Sequence, residues 1–314
     1  MLAKTSHTYF DTYVLTAKVP GPHVLIMAGV HGDELEPMIA AMKLTQKLQR
    51  TLTKGKVTIL PVANGSAFAF GHRCGKDKLD LARTLPGKKT GSYTQRLAYA
   101  ISQLIQTADY LIDLHTGGTL FDILPLCGYM LHPCKKVLEQ QQQMAHAFGM
   151  PIIWGTDAQA QGRTLSVARD LYIPAIYAEC GGGLAVKETT IHLYEQGCIN
   201  VLDHLGLTTR AEKQKKKTFT WLEDYTPGQG HLQMKLPAPE AGIFAPAVAI
   251  GKKVKKGSPL GYIINPVLNK KTKITATEEG LLFMLRISAK VDIGDSLGGI
   301  LPIRGKGKKV IYEQ

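Results

Sequence analysis

Short apolar runs alternate with longer amphipathic stretches over the first two thirds of the chain, and this alternation constrains the fold more than any other feature. Apolar runs predict strands at residues 24–28, 57–62, 110–113, 123–126 and 175–178. The stretches between them predict helices at residues 36–49, 93–107, 135–148, 164–171 and 189–205. Such alternation is typical of an α/β fold with a mostly parallel or mixed sheet flanked by helices.

Polar side chains follow four of the predicted strands. They are His31, Asn64, His115 and Glu179, and each comes within a few residues of a strand end. Because ligands of open parallel sheets collect at the carboxyl ends of the strands, we expect these side chains to meet at one edge of the sheet.

The spacing of His31 and Glu34 suits a metal site if a helix begins near residue 33, since both side chains then reach one ion. The same spacing also fits a helix cap followed by an ordinary first-turn acid. His115, in the string DLHTG, adds a second imidazole, and Asp113 there either orients a ligand or caps a turn. Two imidazoles and one carboxylate form the ligand set of a catalytic zinc site that leaves one position open for water. We therefore expect one Zn²⁺ per chain, bound by His31, Glu34 and His115.

Hydrolysis at such a site also needs a group that accepts and returns a proton. Glu179 follows an apolar strand, where an ionised carboxylate is costly without a purpose, and it precedes three glycines that permit close backbone approach. We predict that Glu179 is the general base and acid. A surface carboxylate that opens a glycine loop is the alternative.

Two arginines, Arg73 and Arg83, lie in the segment after the second predicted strand. A guanidinium group can bind both oxygens of a carboxylate, and it can stabilise the oxyanion of a tetrahedral intermediate. Either arginine could instead form a loop salt bridge, and spacing alone does not separate these roles.

Composition limits the other classes of function. No apolar stretch reaches about eighteen uninterrupted residues, so we expect no membrane association. The N-terminus lacks the apolar core of a signal peptide, and the five cysteines form no CxxC pair, which favours reduced thiols. We expect a soluble cytoplasmic protein. The oligomeric state stays open, with a homo-oligomer as one option.

The formal net charge of +13 lies mainly in lysine runs toward the C-terminus, such as residues 215–217, 252–256 and 270–271. Runs of this kind can contact nucleic acid. Aromatic residues are not interleaved with them, however, as stacking on single strands would require. We therefore expect solvated turns and no nucleic-acid partner.

The change from alternating strand and helix patterns to short strand-like runs predicts a catalytic α/β domain at residues 1–210, a connector at 211–230 and a C-terminal β domain at 231–314. Two similar units, beginning at Gly242 and Gly280, resemble the halves of a barrel-sandwich hybrid, the fold of lipoyl and biotinyl carrier domains. We expect a structural all-β, barrel-sandwich-like module, because the residues that flank Lys270 and Lys271 do not match a carrier's modified lysine.

The motifs HGDE at 31–34, NGSAFAFGHR at 64–73, DLARTLPG at 80–87 and DLHTG at 113–117, followed by Glu179, occur in a characteristic order. In this order the chain resembles the succinylglutamate desuccinylase/aspartoacylase family over roughly residues 20–300. That family is related to the zinc carboxypeptidases. The resemblance implies a zinc-dependent amidohydrolase that removes the acyl group from a small N-acyl amino acid or amine, which is expected to bear a carboxylate.

The resemblance also implies a role for each site residue. His31, Glu34 and His115 would bind zinc, and Glu179 would act as general base and acid. Arg73 would polarise the scissile carbonyl, Arg83 would bind a substrate carboxylate, and Asn64 would help to line the site.

One position departs from the family pattern. The family has Asp-Leu-Asn-Arg where this chain has Ala82 as the third residue. That Asn shares carboxylate recognition with the Arg, so its loss removes a hydrogen-bond donor and makes N-acetylaspartate and succinylglutamate poor candidate substrates. The remaining alternatives are a carboxypeptidase that acts on peptides and a catalytically impaired family member with a binding role.

Overall fold

The structure is a computed structural model that describes residues 2–183, 185–209, 220–228, 230, 235–302 and 308–311. The elements of the first part are β1 (Leu2–Ser6), β2 (Asp11–Thr16), β3 (Val19–Met27), α1 (Leu35–Thr51), β4 (Lys54–Leu60), α2 (Gly65–Phe70), α3 (Tyr93–Ile105), β5 (Tyr110–His115), β6 (Phe121–Met130), α4 (Lys135–Phe148), β7 (Ile152–Thr156), α5 (Thr164–Asp170), β8 (Ala175–Gly181) and α6 (Glu188–His204). The later strands are β9 (Thr220–Asp224), β10 (Gly242–Pro246), β11 (Lys253–Val254), β12 (Pro259–Asn265), β13 (Lys270–Thr275), β14 (Gly280–Arg286), β15 (Lys290–Val291), β16 (Gly298–Leu301) and β17 (Lys308–Ile311).

Among the described residues, thirteen strands form one mixed sheet. Its main path has the order β1-β2-β4-β3-β5-β8-β6-β7-β9-β17. Strands β4, β3, β5 and β8 are parallel to one another, and β6 is antiparallel to β8. The predicted α/β fold with a mixed sheet and flanking helices is confirmed.

Hydrophobic cores cover both faces of this sheet. On one face Ile112 belongs to a buried cluster with Leu44 of α1 and Tyr194 of α6. On the other face Leu111 belongs to a cluster with Ile101 of α3. Since consecutive strand residues point to opposite faces, the single strand β5 contributes to both cores and is held in place from both sides.

The predicted helices begin and end within two residues of the observed ones, whereas the observed strands are longer than predicted. In β3, for example, the first three residues are exposed and the last five are buried. An apolar run therefore marks the buried part of a strand, and the exposed part continues beyond it.

The predicted connector at residues 211–230 contains β9, which pairs in parallel with β7 of the main sheet. Part of this segment is thus a sheet strand, whereas its lysine run at 215–217 lies outside the described residues. The predicted domain boundaries stay predictions.

Beyond residue 235 the described residues form β structure, as the sequence indicates. Strand β14 extends the main sheet by antiparallel pairing with β6, and Met284 lies opposite Ile123. A separate four-stranded sheet has the order β13-β12-β10-β15, and a core that includes Phe244, Ile263 and Leu285 lies in this part of the chain. The barrel-sandwich-like arrangement stays a prediction.

Three structural observations relate to the expectations that were drawn from the composition. Within the described ranges, no helix combines the length and the apolar character needed to cross a bilayer. All five cysteines are free. The lysines at 252, 253, 255, 256, 270 and 271 are exposed, as expected, although Lys253, Lys270 and Lys271 lie in strands rather than in turns. The cytoplasmic location stays a prediction.

Candidate active site

Three neighbouring parallel strands place the candidate catalytic side chains at one edge of the main sheet. His31 comes shortly after the end of β3, and His115 is the last residue of β5. Glu179 lies opposite His115 in the register of β5 and β8. All three side chains line the same cleft, so the structure brings them together.

The turn that carries His31 and Glu34 is tightly packed. A Cβ atom at Gly32 would lie 2.0 Å from the carbonyl oxygen of Ala67 in α2, so only glycine fits where α2 crosses the turn. Helix α1 begins at Leu35, and Glu34 occupies its N-cap position. Both candidate ligands therefore precede the helix, which begins two residues later than the start near residue 33 that the spacing argument supposed.

His31, Glu34 and His115 form a cluster that could hold a metal ion. One ligand atom from each residue lies within 4.8 Å of those of the other two. Nδ1 of His31 is 2.6 Å from Oε1 of Glu34, and Nδ1 of His115 is 2.9 Å from Oε2 of Glu34. The cluster thus presents two ring nitrogens and one carboxylate to a common point.

The other nitrogen of each imidazole faces a second carboxylate. Nε2 of His31 is 3.2 Å from Oδ1 of Asp80, and Nε2 of His115 is 3.1 Å from Oδ2 of Asp113. Thr164 donates a hydrogen bond to Asp113 and fixes its orientation. Such carboxylates favour the tautomer that is protonated at Nε2, which leaves the Nδ1 lone pair for a metal.

Of these two carboxylates, sequence reasoning considered Asp113 and missed Asp80 as a partner of a ligand. The sequence contains one indication of a role for Asp80: it is a carboxylate three residues before Arg83, in the same segment. Nothing in the sequence indicates which imidazole that segment would contact, because the two groups are far apart along the chain.

Charges within the cluster shift the pKa values of its groups. Burial would raise the pKa of Glu34, but His31 and His115 outweigh it and hold that pKa well below its usual range. Burial would lower the pKa of His115, but Asp113 and Glu34 outweigh it and raise that pKa well above its usual value. An ionised carboxylate between two imidazoles is an arrangement that a metal cation can join by displacing protons.

Glu179 is half-buried and faces the cleft beside this cluster. Burial raises the pKa of Glu179 to about 7; His115 opposes the rise, and the negative charge of Glu34 adds to it. A carboxyl group whose pKa lies near the working pH can both accept and return a proton.

Arg73 and His31 both contact the carboxylate of Asp80. Nε and Nη2 of Arg73 lie 3.0 and 2.9 Å from Oδ2 of Asp80, and its Nη1 lies 3.3 Å from Nδ1 of His31. Burial would raise the pKa of Asp80, but its hydrogen bond with His31 and the charge of Arg73 hold that pKa well below its usual range. Asp80 therefore fixes a candidate metal ligand and aims a guanidinium edge at the cluster.

The loop that carries Arg73 is anchored to the start of α3. The carboxylate of Asp77 accepts hydrogen bonds from the backbone N–H of Thr94 at 2.8 Å and from the hydroxyls of Thr94 and Ser92 at 2.7 Å each. These contacts fix the loop on a helix that is packed against the sheet.

A cleft of about 110 Å³ adjoins the cluster, and three arginines line it: Arg73, Arg83 and Arg163. Arg83 ends the short 3₁₀ turn Leu81–Arg83, is exposed, and forms no ion pair within the described ranges. Arg163 immediately precedes α5 and was missed by sequence reasoning. The sequence pattern around Arg163 indicates little, since an arginine before a predicted helix is common.

The structure places Asn64 elsewhere than the sequence predicts. It is fully buried, and its side chain accepts a hydrogen bond from the backbone N–H of Ala67 at 3.1 Å, which caps α2. Asn64 is not among the described residues that line the cleft. It supports α2, which packs against Gly32, and a contact of Asn64 with a ligand stays a prediction.

Comparison with known proteins decides the family. The model of the succinylglutamate desuccinylase/aspartoacylase catalytic domain matches residues 20–205. The chain belongs to this family. The match spans every candidate site residue from His31 to Glu179, and membership places the chain among amide-hydrolysing deacylases.

One similar protein is N-alpha-acetyl-L-2,4-diaminobutyric acid deacetylase of Halomonas elongata. It is 28% identical over 290 residues, which cover 90% of this chain and 83% of the relative. The match therefore extends well beyond the catalytic domain.

Solved structures show the same fold. The succinylglutamate desuccinylase/aspartoacylase from Rhodobacter sphaeroides has a TM-score of 0.82 at 24% identity, covering 95% of this chain and 93% of that one. The product-bound ectoine utilization protein EutE (DoeB) from Ruegeria pomeroyi has a TM-score of 0.83 at 21% identity, covering 96% and 93%.

Proposed function

We propose that the chain is a zinc-dependent deacylase that hydrolyses the amide bond of a small N-acyl amino acid or related N-acyl amine. The observation that carries this proposal is the convergence of His31, Glu34 and His115 in a cleft that also contains Glu179 and Arg73. Membership of a deacylase family supports the reaction class.

The donor set fits zinc. Catalytic zinc sites use three protein ligands of these types and keep one position open. His31, Glu34 and His115 would hold the ion, and Asp80 and Asp113 orient the two imidazoles as carboxylates do in such sites. An ion in this position would supply polarisation of a carbonyl group and would lower the pKa of a water molecule toward about 7.

The protein's own groups then move the protons and stabilise the developing charge. Glu179 accepts a proton from the attacking water as its oxygen bonds to the acyl carbon. Arg73, whose Nη1 points at the cluster, donates a hydrogen bond to the oxyanion of the tetrahedral intermediate. The C–N bond then breaks, and Glu179 returns the proton to the leaving amine nitrogen.

The charges of the cleft favour an N-acyl amino acid. Arg83 and Arg163 line it together. Two guanidinium groups that line one small cleft suit a substrate carboxylate. The relative that deacetylates N-alpha-acetyl-L-2,4-diaminobutyric acid has a substrate of this chemical class.

The shape of the cleft favours small substrates over peptides. Met284 of β14 and Gly230 line it from the C-terminal part of the chain, and the enclosed space is about 110 Å³. These residues narrow the access that a peptide chain would need. We therefore favour the deacylase over the carboxypeptidase alternative.

Turnover of N-acetyl amino acids tests this proposal. We expect the zinc-loaded protein to hydrolyse members of such a panel and Glu179→Gln to lower kcat by about 10²–10⁴-fold, because the proton acceptor is removed. Glu188→Gln is the control, since Glu188 is exposed on α6 and pairs with Lys43. Failure of the wild-type protein to hydrolyse any member, or equal rates for Glu179→Gln, would contradict the proposal.

A further inference from the structure

Tyr177 lies on the floor of the cleft, two residues before Glu179 on β8. Alternate residues of a strand share a face, so the two side chains lie side by side, and both line the cleft. Tyr177 packs against the apolar cluster that contains Ala82 and also against the one that contains Met284. It therefore lies between the two apolar walls of the cleft.

A glycine in the neighbouring strand makes room for this ring. Gly128 of β6 lies opposite Tyr177 in the antiparallel register, and a Cβ atom there would be 2.3 Å from the ring. Gly128 does not have a positive φ. Space for the ring, rather than backbone conformation, is thus what requires glycine at this position.

Among the described residues, the hydroxyl of Tyr177 has no hydrogen-bond partner. It is also not one of the fully buried polar atoms without a partner in the described part of the chain, so it is not fully buried. It therefore opens into the cleft. The buried tyrosines nearby differ: Tyr129 donates to Glu223 at 2.8 Å, and Tyr194 donates to the backbone oxygens of His115 and Cys180. Since buried tyrosine hydroxyls usually find a partner, this one is available to a ligand.

The surroundings of the hydroxyl define which ligand it suits. Burial, and next the charge of Glu179, raise the pKa of Tyr177 well above its usual value, so the hydroxyl stays a donor. Arg163 is close enough for Tyr177 to contribute to its pKa. A neutral donor beside a guanidinium group suits a carboxylate oxygen. Ala82, next to Arg83, offers only a methyl group there.

We propose that Tyr177 is a specificity-determining residue that donates a hydrogen bond to the substrate carboxylate held by Arg83 and Arg163. In this role its hydroxyl supplies the neutral donor that the side chain of Ala82 lacks. The inference rests on the proposed function for the identity of the substrate. Binding of the carboxylate itself can nevertheless be measured without turnover.

The test compares Tyr177→Phe with wild type on an N-acetyl amino acid and on the N-acetyl amine that lacks only the carboxylate. Hydrogen bonds to charged groups are strong, so we expect KM for the amino acid to rise about tenfold or more while kcat changes little. Kinetics with the decarboxylated analogue should be unchanged. Tyr172→Phe is the matched control, because Tyr172 is an exposed tyrosine outside the cleft.

A calorimetric titration with the free amino acid provides the second measurement. We expect Tyr177→Phe to weaken its binding by a factor similar to the rise in KM, with the thermal midpoint of unfolding close to that of wild type. Unchanged affinity, or a loss that is equal for the decarboxylated analogue, would overturn the role. If the wild type hydrolyses no N-acyl amino acid, the proposed function fails, and this titration still decides the role of Tyr177.

Rescue gives a third measurement. We expect Ala82→Asn in the Tyr177→Phe background to restore part of the lost affinity, because an amide beside Arg83 donates into the same pocket. A further loss of affinity would place the two side chains in different subsites and overturn the assignment.

Discussion

At the scale of single residues, the site depends on carboxylates that stand behind the candidate ligands. Asp80 contacts Nε2 of His31 and two nitrogens of Arg73, and Asp113 contacts Nε2 of His115. Each of these acids acts through another side chain. They set the direction of a lone pair or of a guanidinium edge, and so they determine geometry rather than supply ligands.

Replacing Asp80 with Asn tests this arrangement. An amide keeps the size of the side chain but removes the charge that orients His31, so we expect zinc affinity to fall about 10–100-fold. Competition with a chromogenic chelator measures this. Asp170→Asn, at an exposed carboxylate on α5 that pairs with Arg169, should leave the affinity unchanged. Equal affinities for wild type and Asp80→Asn would rule out the orienting role.

The pKa of Glu179 predicts the pH dependence of hydrolysis. Burial raises that pKa to about 7, and only the ionised carboxylate can accept the proton of water. We therefore expect kcat/KM to fall as the pH drops through this pKa, with the acid limb at or below about 7, because a bound cation favours the ionised form. A pH–rate profile measures the limb. A profile that stays flat down to about pH 5 would contradict the role of Glu179.

At the scale of elements, the contact between α2 and the turn at Gly32 holds the first two candidate ligands. A Cβ atom at Gly32 would lie 2.0 Å from backbone atoms of Ala67, whereas a Cβ atom at Gly65, the first residue of α2, would meet nothing within 4 Å. The two glycines therefore form a matched pair for mutation.

We expect Gly32→Ala to displace α2 or the turn, to lower the free energy of unfolding by about 1–3 kcal/mol and to weaken zinc binding. Gly65→Ala should be neutral or slightly stabilising, since it only reduces the freedom of the unfolded chain. Chemical denaturation of both variants measures the difference. Equal stabilities would show that α2 does not pack on the turn as described.

Predictability from the sequence also differs between elements. Helices α1, α3, α4 and α6 follow from apolar periodicity, because each buries mainly one face. Helix α5, by contrast, is buried over its first five residues. Strand β9 does not follow, since it lies in a segment that reads as a connector. It is buried by pairing with β7 and β17 and by the packing of Trp221 and Leu222 in hydrophobic cores. Local pattern carries information about which face is buried, but not about distant partners.

The same reasoning separates the site residues. His31, His115 and Glu179 follow the ends of predicted strands, so topology alone places them together. Arg163 comes before α5, and its place in the cleft depends on how that helix packs on the sheet. Asn64 also follows a strand, yet its side chain turns to cap α2. A side chain's direction at a strand end is set by contacts that the sequence pattern does not contain.

At the scale of the whole molecule, the C-terminal strands help to close the cleft. Strand β14 pairs with β6, and Met284 is fully buried opposite Ile123 while its side chain lines the cleft. The sheet edge that carries the candidate metal ligands is thus walled by a residue more than a hundred positions after Glu179. Both parts of the chain therefore line the cleft, and under the proposed function both would limit the size of the substrate.

Shortening Met284 tests this joint control. We expect Met284→Ala to lower the free energy of unfolding by about 2–5 kcal/mol. It should also raise kcat/KM for longer N-acyl chains relative to N-acetyl, because the wall recedes. Met42→Ala, at an exposed position on α1, is the control. If the ratio of kcat/KM for long acyl groups to kcat/KM for acetyl is unchanged in Met284→Ala, β14 does not limit the size of the cleft.

The central claim is that three residues on one sheet edge bind a single zinc ion, and metal analysis tests it most directly. Elemental analysis of wild type, His115→Ala and the surface variant His192→Ala should be done on protein that has been stripped and reloaded with zinc. The account predicts one zinc per chain in wild type and in His192→Ala, and a loss of stoichiometric zinc in His115→Ala. Absence of zinc from the reloaded wild type, or equal zinc in His115→Ala, would contradict it.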